Sequence, residues 1–253
     1  MKFRVLAVFA AFAVIAAVFS ACATNRITPA QESLSHFKMG LSRMQSGNNE
    51  SALYEFNQAI EFNDNNKDAH FAAGVIHYRQ NDLEGAAREF KKVLSIDSRY
   101  ADAHNALGSI YAEKKEYEKA IKEFKTAAES TFYKSQDTAL VNMGIAYDAL
   151  GDQERAAQSF REALLIQPDN DLAMSNLANE YFKMNKLDEA VRYYKKVLNL
   201  YPDNVLANYQ LGIVYFKMGK NQEAAESFKK SKNLAAPGSD VAVSIDKYLE
   251  LLK

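Results

Sequence analysis

The chain has 253 residues, 48% of them hydrophobic and 25% charged, a globular balance that excludes disorder for the bulk of the protein. Its formal charge is -1, and becomes -3 once Lys2 and Arg4 are set aside with a leader, so it carries no electrostatic footprint for nucleic acid. Ten glycines, four prolines and no tryptophan, beside abundant Ala, Leu, Lys and Glu, point to helices.

Residues 1–21 have the pattern of a secretory leader, with Lys2 and Arg4 ahead of an unbroken apolar run from Val5 to Phe19. A helix of that run rises about 22 Å, short of the roughly 30 Å hydrocarbon core, which favours a removed leader over a permanent membrane span. Phe19-Ser20-Ala21-Cys22 resembles the lipobox at which bacterial signal peptidases cut before a lipid-modified cysteine, with Phe19 where leucine is usual. Cys22 is the sole cysteine and has no partner for an intramolecular disulfide, so the alternatives are a lipid anchor and a free thiol beyond an ordinary cleavage site. Stable anchoring takes more than one acyl chain, which a lipoprotein cysteine supplies. The resemblance to Gram-negative lipoproteins implies a location as well. Aspartate after the cysteine resembles an inner-membrane retention signal, and Ala23 in its place implies the periplasmic face of the outer membrane, with periplasmic or inner-membrane locations as alternatives. Residues 22–32, polar and containing Pro29, read as the anchored cysteine and a short tether.

From residue 33 the chain is self-similar. Gly40, Gly74, Gly108, Gly144, Ala178 and Gly212 hold one place in six units. Further along each unit come Ala52, Ala86, Ala120, Ala156, Ala190 and Ala224, then Phe56, Phe90, Phe124, Phe160, Tyr194 and Phe228. Just after the small residue lie Arg43, His77, Tyr111, Tyr147, Tyr181 and Tyr215. Small residues on a first helix let a second approach to about 8–10 Å, and an aromatic one turn beyond an alanine shares its face and fills the contact. Gly47, Asn81, Lys115, Gly151, Asn185 and Gly219 share a place between the helices where a left-handed cap is needed, and Lys115 is the exception in residue type. Gly85 and Gly238 have no role in this scheme.

This constellation resembles the tetratricopeptide repeat, as in Leu107-Gly108, Tyr111, Ala120 and Phe124, or Leu211-Gly212, Tyr215, Ala224 and Phe228, with Pro168 and Pro202 at the closing position of two units. The expected fold is all-α, a right-handed superhelix of helix-turn-helix repeats at 33–66, 67–100, 101–136, 137–170, 171–204 and 205–238. Residues 239–253 are expected to cap it, with Ser239 starting a helix whose Val241, Ile245, Leu249 and Leu252 form one stripe.

Chemistry is not legible in the chain. No phosphate-binding glycine loop, nucleophile elbow or zinc-protease motif occurs, so neither a catalytic group nor a cofactor is expected and the protein reads as a non-enzyme. His36, His70 and His104 recur at one repeat position, but equivalent helices lie a helix diameter apart whereas zinc needs its ligands about 2.0–2.1 Å from one centre. They read, with His77, as packing residues. Glu116 with Glu118 and Asp188 with Glu189 fall where second helices begin and favour their N-termini. Lys91-Lys92, Lys195-Lys196 and Lys229-Lys230 read as solvated faces.

In this repeat family first-helix positions line a partner-binding groove. The first two units offer Phe37, Leu41, Met44, Phe71, Val75 and Tyr78 there, while later ones offer Asn105, Ser109, Ser175, Asn179 and Lys183. The resemblance therefore implies capture of an apolar amphipathic or extended segment at the N-terminal end. Phe37, Leu41 and Ala72 stand where chaperone-type repeats carry the lysines and asparagines that clamp a terminal carboxylate, which disfavours that mode. The lipobox, tether, six repeats and a two-residue expansion within Glu129 to Asp137, with Glu129-Ser130-Thr131-Phe132-Tyr133-Lys134-Ser135, resemble the type IV pilus pilotins. Their implied function is binding a secretin subunit and assisting its assembly in the outer membrane. An adaptor for cell-wall synthases or proteases and a regulatory subunit of an exported enzyme are the alternatives.

Overall fold

The computed structural model describes residues 27–131 and 133–253, and thirteen α-helices with no strand run through the described residues. The leader and Cys22 lie outside them. The chain falls into two compact units, residues 1–96 and 97–253.

The first unit contains α1 (Pro29–Gln45), α2 (Asn49–Phe62), α3 (Lys67–Arg79) and α4 (Leu83–Ile96), paired as two hairpins. Here the expected tether is corrected. Residues 29–32 are the first turn of α1, because Pro29 sits where a missing N–H costs nothing and Thr28 closes a capping box. The Gln31 amide donates to Thr28 Oγ1 at 3.3 Å, and the Thr28 amide donates to Gln31 Oε1 at 2.8 Å.

The second unit contains α5 (Ala101–Glu113), α6 (Tyr117–Ala128), α7 (Gln136–Ala149), α8 (Gln153–Ile166), α9 (Asp171–Lys183), α10 (Leu187–Leu200), α11 (Val205–Lys217), α12 (Asn221–Leu234) and α13 (Asp240–Leu251). Consecutive helices form four hairpins, and α13 closes the end. Ser239 caps α13 by accepting from the Ala242 amide, Ile245 is fully buried, and Val241, Leu249 and Leu252 pack against the core. Tyr248 adds a ring stacked 4.9 Å from Phe228, which the aliphatic stripe alone does not reveal.

One packing device recurs in both units. Ala52, Ala86, Ala120, Ala156, Ala190 and Ala224 have no exposed surface, and the aromatic beyond each is buried against the small residue of the facing helix. A methyl group on Gly74, Gly108, Gly144 or Gly212 would lie 2.6–2.7 Å from the ring of Phe90, Phe124, Phe160 or Phe228, closer than any packed carbon pair. Glycine is there for the approach of the ring. In the fifth repeat Ala178 faces Tyr194 instead, and burial pushes that phenol above its ordinary pKa.

The turns follow the expected left-handed pattern, with Gly47, Gly151 and Gly219 at φ 72–80° and Asn81, Lys115 and Asn185 at 60–62°. Lys115 therefore holds a conformation that costs an L-residue about 1–2 kcal/mol. The two glycines without a repeat role acquire local ones. Gly85 donates its amide to Asp82 Oδ1 at 2.9 Å at the start of α4, and Gly238 turns the chain into α13 at φ 75°. Asn66 and Asn170 register successive repeats. Each is the last residue of its repeat and caps the first helix of the next, and its Nδ2 donates back to the first residue of its own repeat, Ser33 Oγ at 2.9 Å and Asp137 Oδ2 at 3.0 Å.

Between α6 and α7 the expanded linker is tied down by Gln136, whose Nε2 donates to the carbonyls of Ala128 at 3.0 Å and Ser130 at 2.8 Å. Burial lifts the phenol of Tyr133 in this linker to about 12.

Candidate functional site

The six residues expected to line a groove all belong to the first unit, three on α1 and three on α3. Leu41 is 39% exposed and faces solvent. Phe37 and Met44 are half-buried against Ala52, Phe56, Ala72, Ala73 and Ile76, and the Phe37 ring lies 5.9 Å from that of Phe56. Phe71 packs its ring 5.4 Å from Phe90, and Val75 and Tyr78 are half-buried. The face is thus made of rings and thioethers that belong partly to the core, with Leu41 protruding.

Leu34, missing from the expected set, is 49% exposed and lies two turns before Leu41 with Phe37 between them at helical spacing. The spacing is legible in the sequence, but the repeat pattern begins at residue 33 whereas the helix begins at Pro29, which places Leu34 in its second turn. Leu34, Phe37 and Leu41 form one apolar stripe of the kind that seats a partner helix or strand.

Two first helices of the second unit, α5 and α9, are polar at the places of Phe37 and Leu41, with Asn105, Ser109, Ser175 and Asn179, whereas α7 and α11 carry Ile145, 45% exposed, and Leu206, 60% exposed. Asn142 Nδ2 donates to Asn105 Oδ1 at 3.2 Å. Lys183 pairs with Asp148 and, at 2.8 Å, with Glu180 Oε1. Glu180 is 1% exposed and occupies the place of the buried Ala146 and Val214 in the neighbouring repeats. Burial raises its carboxyl pKa, and Oε2 finds no donor among the described residues.

The recurring histidines do more than fill space. His36 Nδ1 lies 2.8 Å from Glu55 Oε2, His70 Nδ1 2.6 Å from Glu89 Oε2 and His104 Nδ1 2.6 Å from Glu123 Oε2, each pair joining the two helices of its own repeat. The second nitrogen meets a carbonyl, that of Asp64 for His70 and of Ser98 for His104, both at 3.1 Å. A carboxylate and a carbonyl are both acceptors, so His104 satisfies both as the imidazolium, and the hydrogen bond it donates to Glu123 leads in raising its pKa. His77 bonds Asp82 Oδ2 at 2.9 Å. Among the described residues no group of three or more His, Cys, Asp or Glu side chains is placed to hold a metal ion. A Glu nineteen residues after each repeat histidine is the sequence signal for these braces.

Comparison with known proteins follows from this geometry. Models of the tetratricopeptide repeat match residues 40–81, 76–115, 99–169, 178–219 and 205–236, three quarters of the chain in all. A search of curated protein sequences finds no match. Among solved structures, one from a functional characterization of PilF of Pseudomonas aeruginosa has a TM-score of 0.74 at 23% identity, covering 87% of this chain and 98% of its own. PilW, described as a widely conserved type IV pilus biogenesis factor, has a TM-score of 0.73 at 20% identity, covering 85% and 98%. YrrB, described as a TPR protein with an unusual peptide-binding site, has a TM-score of 0.64 at 22% identity, covering 76% and 97%. At these identities the likeness is one of fold.

Proposed function

The chain belongs to the tetratricopeptide-repeat family, and from that premise we propose that it is an envelope scaffold whose first-helix face at α1 and α3 captures an apolar segment of another protein. Helix pairs packed through alanine and phenylalanine serve as a rigid support, and the repeat fold is that of protein-interaction modules. The observation that carries the reading is the stripe of Leu34, Phe37 and Leu41, in which the two leucines are 49% and 39% exposed on either side of a Phe37 ring that packs on the hairpin core.

In the fuller form of the proposal, residues 1–21 direct export, Cys22 takes a lipid, and the protein acts at the periplasmic face of the outer membrane without performing a reaction of its own. Its partner is a secretin subunit of a type IV pilus. The supports are the lipobox-like run ending at Cys22 and a fold similar to those of PilF and PilW.

The test uses Leu34→Glu with Leu41→Glu, both at exposed positions, because charging Phe71 would also disturb Phe90. Pull-down from detergent-solubilised envelopes followed by direct binding to the captured protein should yield a secretin ring protein with the wild type. The double variant should keep its helicity and bind at least about tenfold more weakly, a loss of about 1.4 kcal/mol. Unchanged capture would reject the site, and capture of a peptidoglycan enzyme instead would reject the pilus assignment. Globomycin treatment separates the anchor from the binding claim, since accumulation of an uncut precursor is expected only if Cys22 is lipidated.

A further inference from the structure

The unit 97–253 carries notches at the repeat position held by His104, Leu140 and Met174, the last two of them between successive second helices. The chain has no tryptophan, and these smaller residues leave space where neighbouring second helices splay. The lining changes from notch to notch. At His104 it is polar, with Ser98, Arg99, Thr126 and Ser130. At Met174, between α8 and α10, it is a space of about 600 Å³ walled by Leu164, Leu165, Pro168 and Tyr193.

Two features of the Met174 notch are unusual for a surface depression. Leu165 is 84% exposed at its rim, a large aliphatic group held in water beside an apolar hollow. The charged rim is predominantly cationic. Arg161 and Lys196 border the notch and neither has a carboxylate partner among the described residues, while Glu162 accepts from Gln158 Nε2 at 2.9 Å. Lys196 lies 4.9 Å and Arg192 5.2 Å from the centre of the Tyr193 ring, which holds two positive charges against the aromatic wall.

We propose that this notch, on the second-helix side of α8 and α10, is a docking site for an acidic amphipathic segment of a partner protein, with a bulky apolar side chain seated over Met174 and Tyr193 and carboxylates paired with Arg161 and Lys196. Charge complementarity selects the occupant. An apolar hollow bordered by Arg161 and Lys196 against the single carboxylate of Glu162 has a net positive rim, which penalises a basic segment by like-charge repulsion and rewards one in which acidic and apolar residues alternate. The notch shares no residue with the α1 and α3 face, so the scaffold would offer two separate docking sites.

Fluorescence anisotropy tests this on the full chain, with a short fluorescein-labelled peptide of alternating Glu and Leu-Phe blocks and a counterpart bearing Lys in place of every Glu. The acidic peptide should bind at least about tenfold more tightly than the basic one. Arg161→Glu with Lys196→Glu should reverse that order, and Leu165→Asp should weaken the acidic peptide about tenfold, while Lys122→Glu, on α6 and outside both proposed sites, leaves it unchanged. All four positions are exposed, and circular dichroism checks that the variants remain folded. No binding of the acidic peptide, equal binding of both peptides, or indifference to the Arg161 and Lys196 changes would overturn the proposal. Concentration-dependent self-association of the chain that Leu165→Asp abolishes would overturn it in favour of a second copy as occupant.

Discussion

The first three repeats and the last three share a core and differ in what lies around it. His36, His70 and His104 brace the two helices of their repeats through Glu55, Glu89 and Glu123. The last three carry Leu140, Met174 and Asn208 at that place, opposite Ser159, Tyr193 and Ser227, and use packing or backbone hydrogen bonds instead. First-helix faces vary along a different line, apolar on α1 and α3, polar at the equivalent places of α5 and α9, and apolar again at Ile145 of α7 and Leu206 of α11. The lesson is separability. The small residue, the alanine and the aromatic determine the hairpin in every repeat, and the remaining positions are left to select partners and tune stability.

The largest expected effect would break the idea of a shared core. Phe56→Ala and Phe160→Ala each remove a fully buried ring and should each cost about 3–5 kcal/mol, read as two similar losses of denaturation midpoint. A small loss at either site would mean that the two regions are not built alike.

A smaller effect sharpens the difference between the regions. Glu123→Gln removes the carboxylate that holds His104 as an imidazolium and should destabilise by about 1.5–3 kcal/mol at pH 6. The folded pKa of His104 is raised, so the stabilisation is complete below the unfolded value of 6.5 and is lost as pH rises through the folded value. Denaturant melts of wild type and variant should therefore differ most near pH 6 and converge in alkali. The matching Ser159→Ala in the fourth repeat should show no such convergence, because its partner position holds Leu140.

The smallest effect concerns the turns. Lys115→Gly relieves a left-handed residue and should raise stability by about 1 kcal/mol, or roughly 2–4 °C in thermal midpoint. The same change at Asn185 should do less, since asparagine tolerates that conformation better.

Sequence periodicity exposed what repeats, namely the hairpins, their Ala and Phe core, and the strained turn at Lys115. It was less informative where a residue acts once or across a hairpin. Pro29 was read as part of a tether, because a proline in a polar run marks a break as readily as a first helical residue, and only the Thr28 capping box decides between them. The histidine braces were missed because their partners lie nineteen residues away on another helix, beyond the spacing of any single-helix pattern. At the proposed binding face Phe37, Met44 and Phe71 belong partly to the core, since a repeat position fixes direction but not how far a neighbour covers it.

The central claim is that an apolar face at the N-terminal end holds a partner while the hairpins beneath it stay unchanged. Amide hydrogen exchange of the full chain with and without a purified pilus secretin subunit tests it most directly. The account predicts added protection in residues 29–45 and 67–79, absent in the Leu34→Glu, Leu41→Glu variant. Protection confined to the helices of 97–253, or surviving intact in that variant, would contradict it.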